Sequence, residues 1–112
     1  MKTINRTVLT IMAKQPYIDW ANGFDDDGPG MEASEVHATS VLIPDRYDEF
    51  NYQDFVRKHY KPIFEAELDA WMADPGVWPK NRTYALFCKW FTVVASDAVI
   101  EMGKGPIKIE EF

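Results

Sequence analysis

Cysteine is almost missing from this chain of 112 residues: Cys88 stands alone, so no internal disulfide can form and no Cys-Cys metal knuckle can be built. Histidine is nearly as scarce. His37 and His59 are the only imidazoles, neither has a second His or Cys at ligand spacing, and so no metal and no cofactor is expected. No run approaches the ~20 apolar residues a membrane helix needs, so no membrane partner is expected either. Positive charge is also in deficit. With 12 Lys and Arg against 18 Asp and Glu the net charge is −6, which repels a polyanion held through its phosphates and argues against nucleic acid as a partner. Arg57, Lys58, His59 and Lys61 do cluster, but Asp54, Glu65 and Glu67 flank them, and a solvated helix face accounts for the group.

Recognisable site motifs are missing too. The one dense glycine stretch, DDDGPG at residues 25–30, carries three aspartates that would repel an anion, so it is no phosphate loop. It fails as an EF-hand as well, because counting from Asp25 puts Pro29 at the fifth position and Val36 at the twelfth, where oxygen ligands belong. No G-x-S-x-G nucleophile elbow occurs. Residues 1–13 mix Lys2, Asn5 and Arg6 into their apolar content and do not read as a signal peptide, so the N-x-T matches at Asn5 and Asn81 count as chance and a cytoplasmic location is expected.

What the chain does have is aromatic bulk. Four Trp, five Tyr and seven Phe within 46% apolar content are enough to fill one core at the commonest single-domain size. Residues 6–13, RTVLTIMA, are apolar on both alternating faces, the pattern of a strand covered on both sides. QPYIDWANG then offers Pro16 for the first helical turn and Gly23 for a left-handed residue past the end of a two-turn helix. Residues 24–34 form an acidic loop, expected to be mobile. A second strand covers residues 36–43 and stops at Pro44. The longest signal follows, with Asn51 as cap and apolar residues from Phe55 to Met72 at three- and four-residue steps, interrupted by Pro62, which predicts a kink or break near Lys61. A third helix over residues 82–90 is predicted from an Asn81 cap and the spacing of Leu86, Phe87, Trp90 and Phe91, against a rival hairpin reading from residue 84. Residues 92–102 read as one strand whose dry face carries Val94, Ala98, Ile100 and Met102. The tail from residue 103 is expected to be loosely held, tied down by Ile107 and Ile109. The class is α+β, a sheet of about three strands covered by helices in the order β-α-β-α(broken)-α-β.

Three segments, PYIDWAN, the LIP that ends the second strand, and WPKNRTYALFCKWF, together resemble a family of small uncharacterised bacterial proteins over roughly residues 6–102. The resemblance implies a bacterial cytoplasmic origin and carries no catalytic residue onto this chain.

Two classes of function follow. With no catalytic signature beside so many aromatics, the leading expectation is a non-catalytic module that binds another protein or itself. Its interface candidates are Trp71, Trp78 and Arg82, against a plainer role for Trp78 as a lid folded onto the core. The alternative is a small enzyme or small-molecule binder with a site between sheet and helices, using Asp19, Trp20, His37 and Arg82. Cys88, beside large apolar neighbours, reads as a small core residue.

Overall fold

The structure, a computed structural model, describes residues 1–24 and 37–112. Along the chain run β1 (Lys2–Thr3), β2 (Arg6–Ala13), α1 (Gln15–Asn22), β3 (Ala38–Pro44), α2 (Tyr52–Trp71), a 3-10 turn (Pro75–Val77), α3 (Tyr84–Trp90), β4 (Phe91–Ala95) and β5 (Ile100–Glu101). β2 is the centre of an antiparallel sheet of order β3-β2-β4, and β1 pairs with β5 in a second, two-stranded sheet. The α+β class expected from the sequence is what the chain adopts. The acidic loop expected at residues 24–34 lies, from residue 25 onward, outside the described residues, as does Val36.

The strand β2 sorts its side chains by parity. Thr7, Leu9 and Ile11 are buried against the helices, while Val8, Thr10 and Met12 on the other face are only half-buried. Onto the buried face come Tyr17, Ile18 and Ala21 from α1, Val56, Phe64 and Leu68 from α2, and Phe87 from α3, joined by Ile43 and Phe91 from the flanking strands. All three helices therefore lie on one side of one sheet. The helix-sheet layer satisfies each apolar stripe at the 3.6- and 2-residue periods that the sequence displays.

Several local expectations are corrected. The helix α2 runs without a break through Pro62. Pro62 offers no N–H to the Lys58 carbonyl, but both residues face solvent, so water can take that carbonyl while the apolar stripe on the opposite side holds the helix together. Asn51 occupies the N-cap without capping: its Oδ1 accepts from the Asp48 backbone N–H at 2.7 Å and its Nδ2 donates to the Arg46 carbonyl at 3.2 Å, bracing the preceding turn. For α3 the cap is Thr83 rather than Asn81, its hydroxyl accepting from the Leu86 N–H at 3.1 Å. Gly23 ends α1 in right-handed geometry, φ −69°, and a side chain there would bring its Cβ to 3.3 Å from the Trp20 carbonyl; close approach explains the glycine, not a left-handed turn.

The strand expected over residues 92–102 is two strands in different sheets. Ser96 closes the first by donating its N–H to the Val8 carbonyl and accepting from the Val8 N–H on Oγ, both at 2.8 Å, after which the chain turns away toward β1. Its dry face is also reversed. Phe91 is buried, whereas Val94 is 49% and Ile100 53% exposed, because pairing Thr10 opposite Val94 places Val94 on the side away from the helices. Ile107 and Ile109 are exposed and do not tie the tail down, and Cys88 is exposed rather than part of the core.

Leu68 has no exposed surface, so Leu68→Ala is expected to cost roughly 2–5 kcal/mol by urea titration, the range for an emptied core site. Trp78 packs partly buried on the core, and Trp78→Ala is expected to cost about 3 kcal/mol, the lower end for a lost core indole, with a matching fall in melting temperature. An unchanged melt would place the ring outside the core packing.

Candidate interaction surface

The four tryptophans turn inward at one end of the molecule. Trp20 donates its indole N–H to the Val77 carbonyl at 3.1 Å, Trp71 to Ala21 at 2.9 Å, and Trp78 to Met72 at 2.7 Å. Each bond ties a helix end to a neighbouring segment, and the rings of Trp20, Trp90 and Tyr17 pack together, with centroids 5.5 to 6.2 Å apart. Arg82 lies on the outer side of this group. Its guanidinium sits 5.7 Å from the Trp78 ring centroid, donates to the Pro79 carbonyl at 2.9 Å and reaches Glu65 at 3.7 Å. Asp19 accepts from Gln15 one turn earlier on α1 at 2.8 Å. Of the residues proposed from sequence, Trp20, Trp71 and Trp78 are thus brought into one aromatic end with Arg82 beside it, and His37 joins them only through the edge of the Trp71 ring, 6.3 Å between centroids.

A different region stands open. The sheet face turned away from the helices is read directly from the strand register, since residues opposite one another in an antiparallel pair share a face. Val8 faces Leu42, Thr10 faces both Ser40 and Val94, and Met12 faces both Ala38 and Thr92. None of these eight side chains is charged, and Leu42 and Val94 are 56% and 49% exposed. Arg6, opposite Pro44, and Lys14, just past β2, are the charges at the two ends. The outer long edge of this face is β3, a seven-residue edge strand without a charged residue, in which the proline that commonly guards such an edge stands only at the last position, Pro44.

Beyond that edge lies a groove of about 450 Å³ between β3 and α2, lined by Thr39, Ser40, Val41 and Leu42 on the strand side, by Pro62, Ile63, Ala66 and Glu67 on the helix side, and by Phe112. Asp19, Trp20 and Arg82 do not line it. Glu67 supplies its polar end. Burial raises the Glu67 carboxyl above its ordinary value, while a hydrogen bond with the Thr39 side chain and the nearby His37 pull it back down. The backbone carbonyl of the same residue accepts from the Tyr17 hydroxyl at 2.7 Å, and the Tyr17 phenol is pushed up to about 12, first by burial and then by Glu67.

Sequence reasoning named His37 but missed Glu67, Leu42, Met12 and Val94. Alternating apolar residues on both faces of residues 6–13 were the available signal: that pattern implies two covered faces, and the helices cover one. Comparison with protein-family models, with curated proteins and with solved structures yields no match to this chain.

The raised Glu67 carboxyl sets a pH dependence. The folded state holds this proton more tightly than the unfolded chain, so the contribution of Glu67 to stability is present below the ordinary value of 4.5 and is lost as pH rises through the higher folded value. Glu67→Gln, which has no charge to desolvate, is therefore expected to melt above the wild type at pH 7, with the gap closing below pH 4.5. A variant less stable at pH 7 would mean that the Thr39 and His37 contacts outweigh burial.

Proposed function

We propose that this chain is a non-catalytic interaction module of the bacterial cytoplasm that binds protein through the open face of its sheet and the adjoining β3 edge. The observation that carries this reading is the uncharged sheet face without a covering layer among the described residues, continuous at Ser40 and Leu42 with the groove beside α2. A protein with 27% charged residues that confines charge to the two ends of one sheet face, at Arg6 and Lys14, has the composition of a contact surface between them, since interface centres are depleted of charge. An extended segment laid along β3, whose outer edge pairs with no strand among the described residues, would find backbone donors and acceptors for strand addition, with a side-chain groove next to them. The net charge of −6 speaks for a protein partner over nucleic acid.

A second reading rests on the Glu67 end of the groove. A raised carboxyl beside His37 in an otherwise apolar recess is the setting of a small-molecule site.

Selection from a random peptide display library tests the first reading. The wild type is expected to enrich extended peptides with alternating apolar residues, and Leu42→Lys is expected to abolish that enrichment while leaving the melting temperature within error, because Leu42 is already more than half exposed. A compound from a small-molecule fragment library that raises the melting temperature of the wild type but not of Glu67→Gln, with no peptide enriched, would favour the second reading.

A further inference from the structure

We infer that the recess between α2 and the loop leading into α3 binds a small phosphate monoester of a hydroxylated molecule, through Lys61, Lys80 and Arg82. The recess is distinct from the sheet face and its groove: Lys61 and Glu65 of α2 line it, whereas Pro62 and Ala66, each one residue further on, line the groove beside β3. It has a volume of about 350 Å³, and Asn81 completes its polar lining. Three like charges brought together repel, and among the described residues little offsets them. Arg82 reaches Glu65 at 3.7 Å, while Lys61 and Lys80 pair with no carboxylate. Three cations less one carboxylate leave a surplus of two positive charges on a chain whose net charge is −6, and a bound anion relieves that local repulsion.

The loop that carries two of the cations is already fixed. The Tyr60 hydroxyl of α2 donates to the Arg82 carbonyl at 3.3 Å, and the Arg82 guanidinium closes the loop on itself through the Pro79 carbonyl at 2.9 Å. The Trp78 ring, held by its indole bond to Met72, stands 5.7 Å from the guanidinium and limits its swing. Donors set in advance spare part of the ordering cost of binding. Phosphate suits the set better than carboxylate, because a phosphate monoester carries about −1.5 to −2 at pH 7 and offers three terminal oxygens, as many as there are cations. The volume falls in the range of small-molecule pockets, roughly 300–1,000 Å³, and leaves room beyond a phosphoryl group for the alcohol part of an ester. Glu65 and Asn81 supply what that part needs. A carboxylate repels phosphate but accepts from a hydroxyl, and the Asn81 amide, which makes no hydrogen bond among the described residues, both donates and accepts.

Backbone-amide NMR titrations at constant ionic strength, with glucose 6-phosphate, glucose and inorganic phosphate as probes, test the site. Glucose 6-phosphate is expected to move the amides of Lys61, Lys80, Asn81 and Arg82 saturably with Kd below about 1 mM, inorganic phosphate to bind about tenfold more weakly, and glucose to move none of them. Lys61→Gln and Lys80→Gln should each weaken the ester about tenfold with an unchanged melt, since both side chains are exposed. Lys104→Gln, which removes one positive charge from the tail, should leave binding as it is. No saturation by about 10 mM ester overturns the site, and so does an equal loss in Lys104→Gln, which would mean a diffuse field in place of a site. Inorganic phosphate as tight as the ester overturns the ester as ligand, and a phosphoserine peptide that binds more tightly than the ester overturns the small molecule.

Discussion

Phe64 has no exposed surface, and its ring centroid lies 5.7 Å from Phe87, 5.7 Å from Trp90 and 5.5 Å from Phe91. One side chain of α2 thus meets the last helix and the first residue of the strand that follows it. Phe87 and Phe91, 5.1 Å apart, are both buried, although one is helical and the other extended. The chain passes from α3 to β4 with no intervening residue, and the aromatic cluster lies on the inside of that junction. Because Phe91 is opposite Ala13, the last residue of β2, the same cluster sets the register of the sheet. The parity of the β4 residues against β2 follows from it.

That parity decides where the surface is plain and where it is tied. Turning Leu9, Ile11, Ile43 and Phe91 toward the helices leaves Val8, Thr10, Met12, Leu42 and Val94 facing out, and no helix remains to cover them among the described residues. The large polar-tipped aromatics are committed elsewhere, with the indole N–H groups of Trp20, Trp71 and Trp78 bonded to main-chain carbonyls. A buried indole N–H without a partner would cost free energy, so these rings are positioned by their bonds as much as by their area. The tryptophans that invite a recognition role by their chemistry hold helix ends together, and the residues left for recognition are chemically modest.

Pro62 illustrates the same priority of packing over local preference. An isolated helix would lose one bond and meet the ring of the proline, yet α2 continues across it, since Val56, Phe64 and Leu68 on the core side span the site with at most 3% of their surface exposed. The helix face that the proline lies on becomes one wall of the groove opposite β3, where Glu67 is desolvated enough to raise its carboxyl.

Much of the fold was legible in the sequence because it rests on local signals: the β-branched, doubly apolar run of β2, the Pro16 start of α1 and the apolar stripe of α2 at three- and four-residue steps. Boundaries that depend on single bonds were not legible, since Asn51 and Asn81 have the chemistry of caps while Thr83 has the geometry. The reversal of the final strand's faces and its split into β4 and β5 were hidden for a stronger reason. Alternation along a strand distinguishes two faces but does not say which one meets the helices; that is decided by the register against β2, a contact between residues some eighty positions apart. The double-sided apolar pattern of β2 announced a need for two covers, and the tertiary structure alone decided that the described residues supply one.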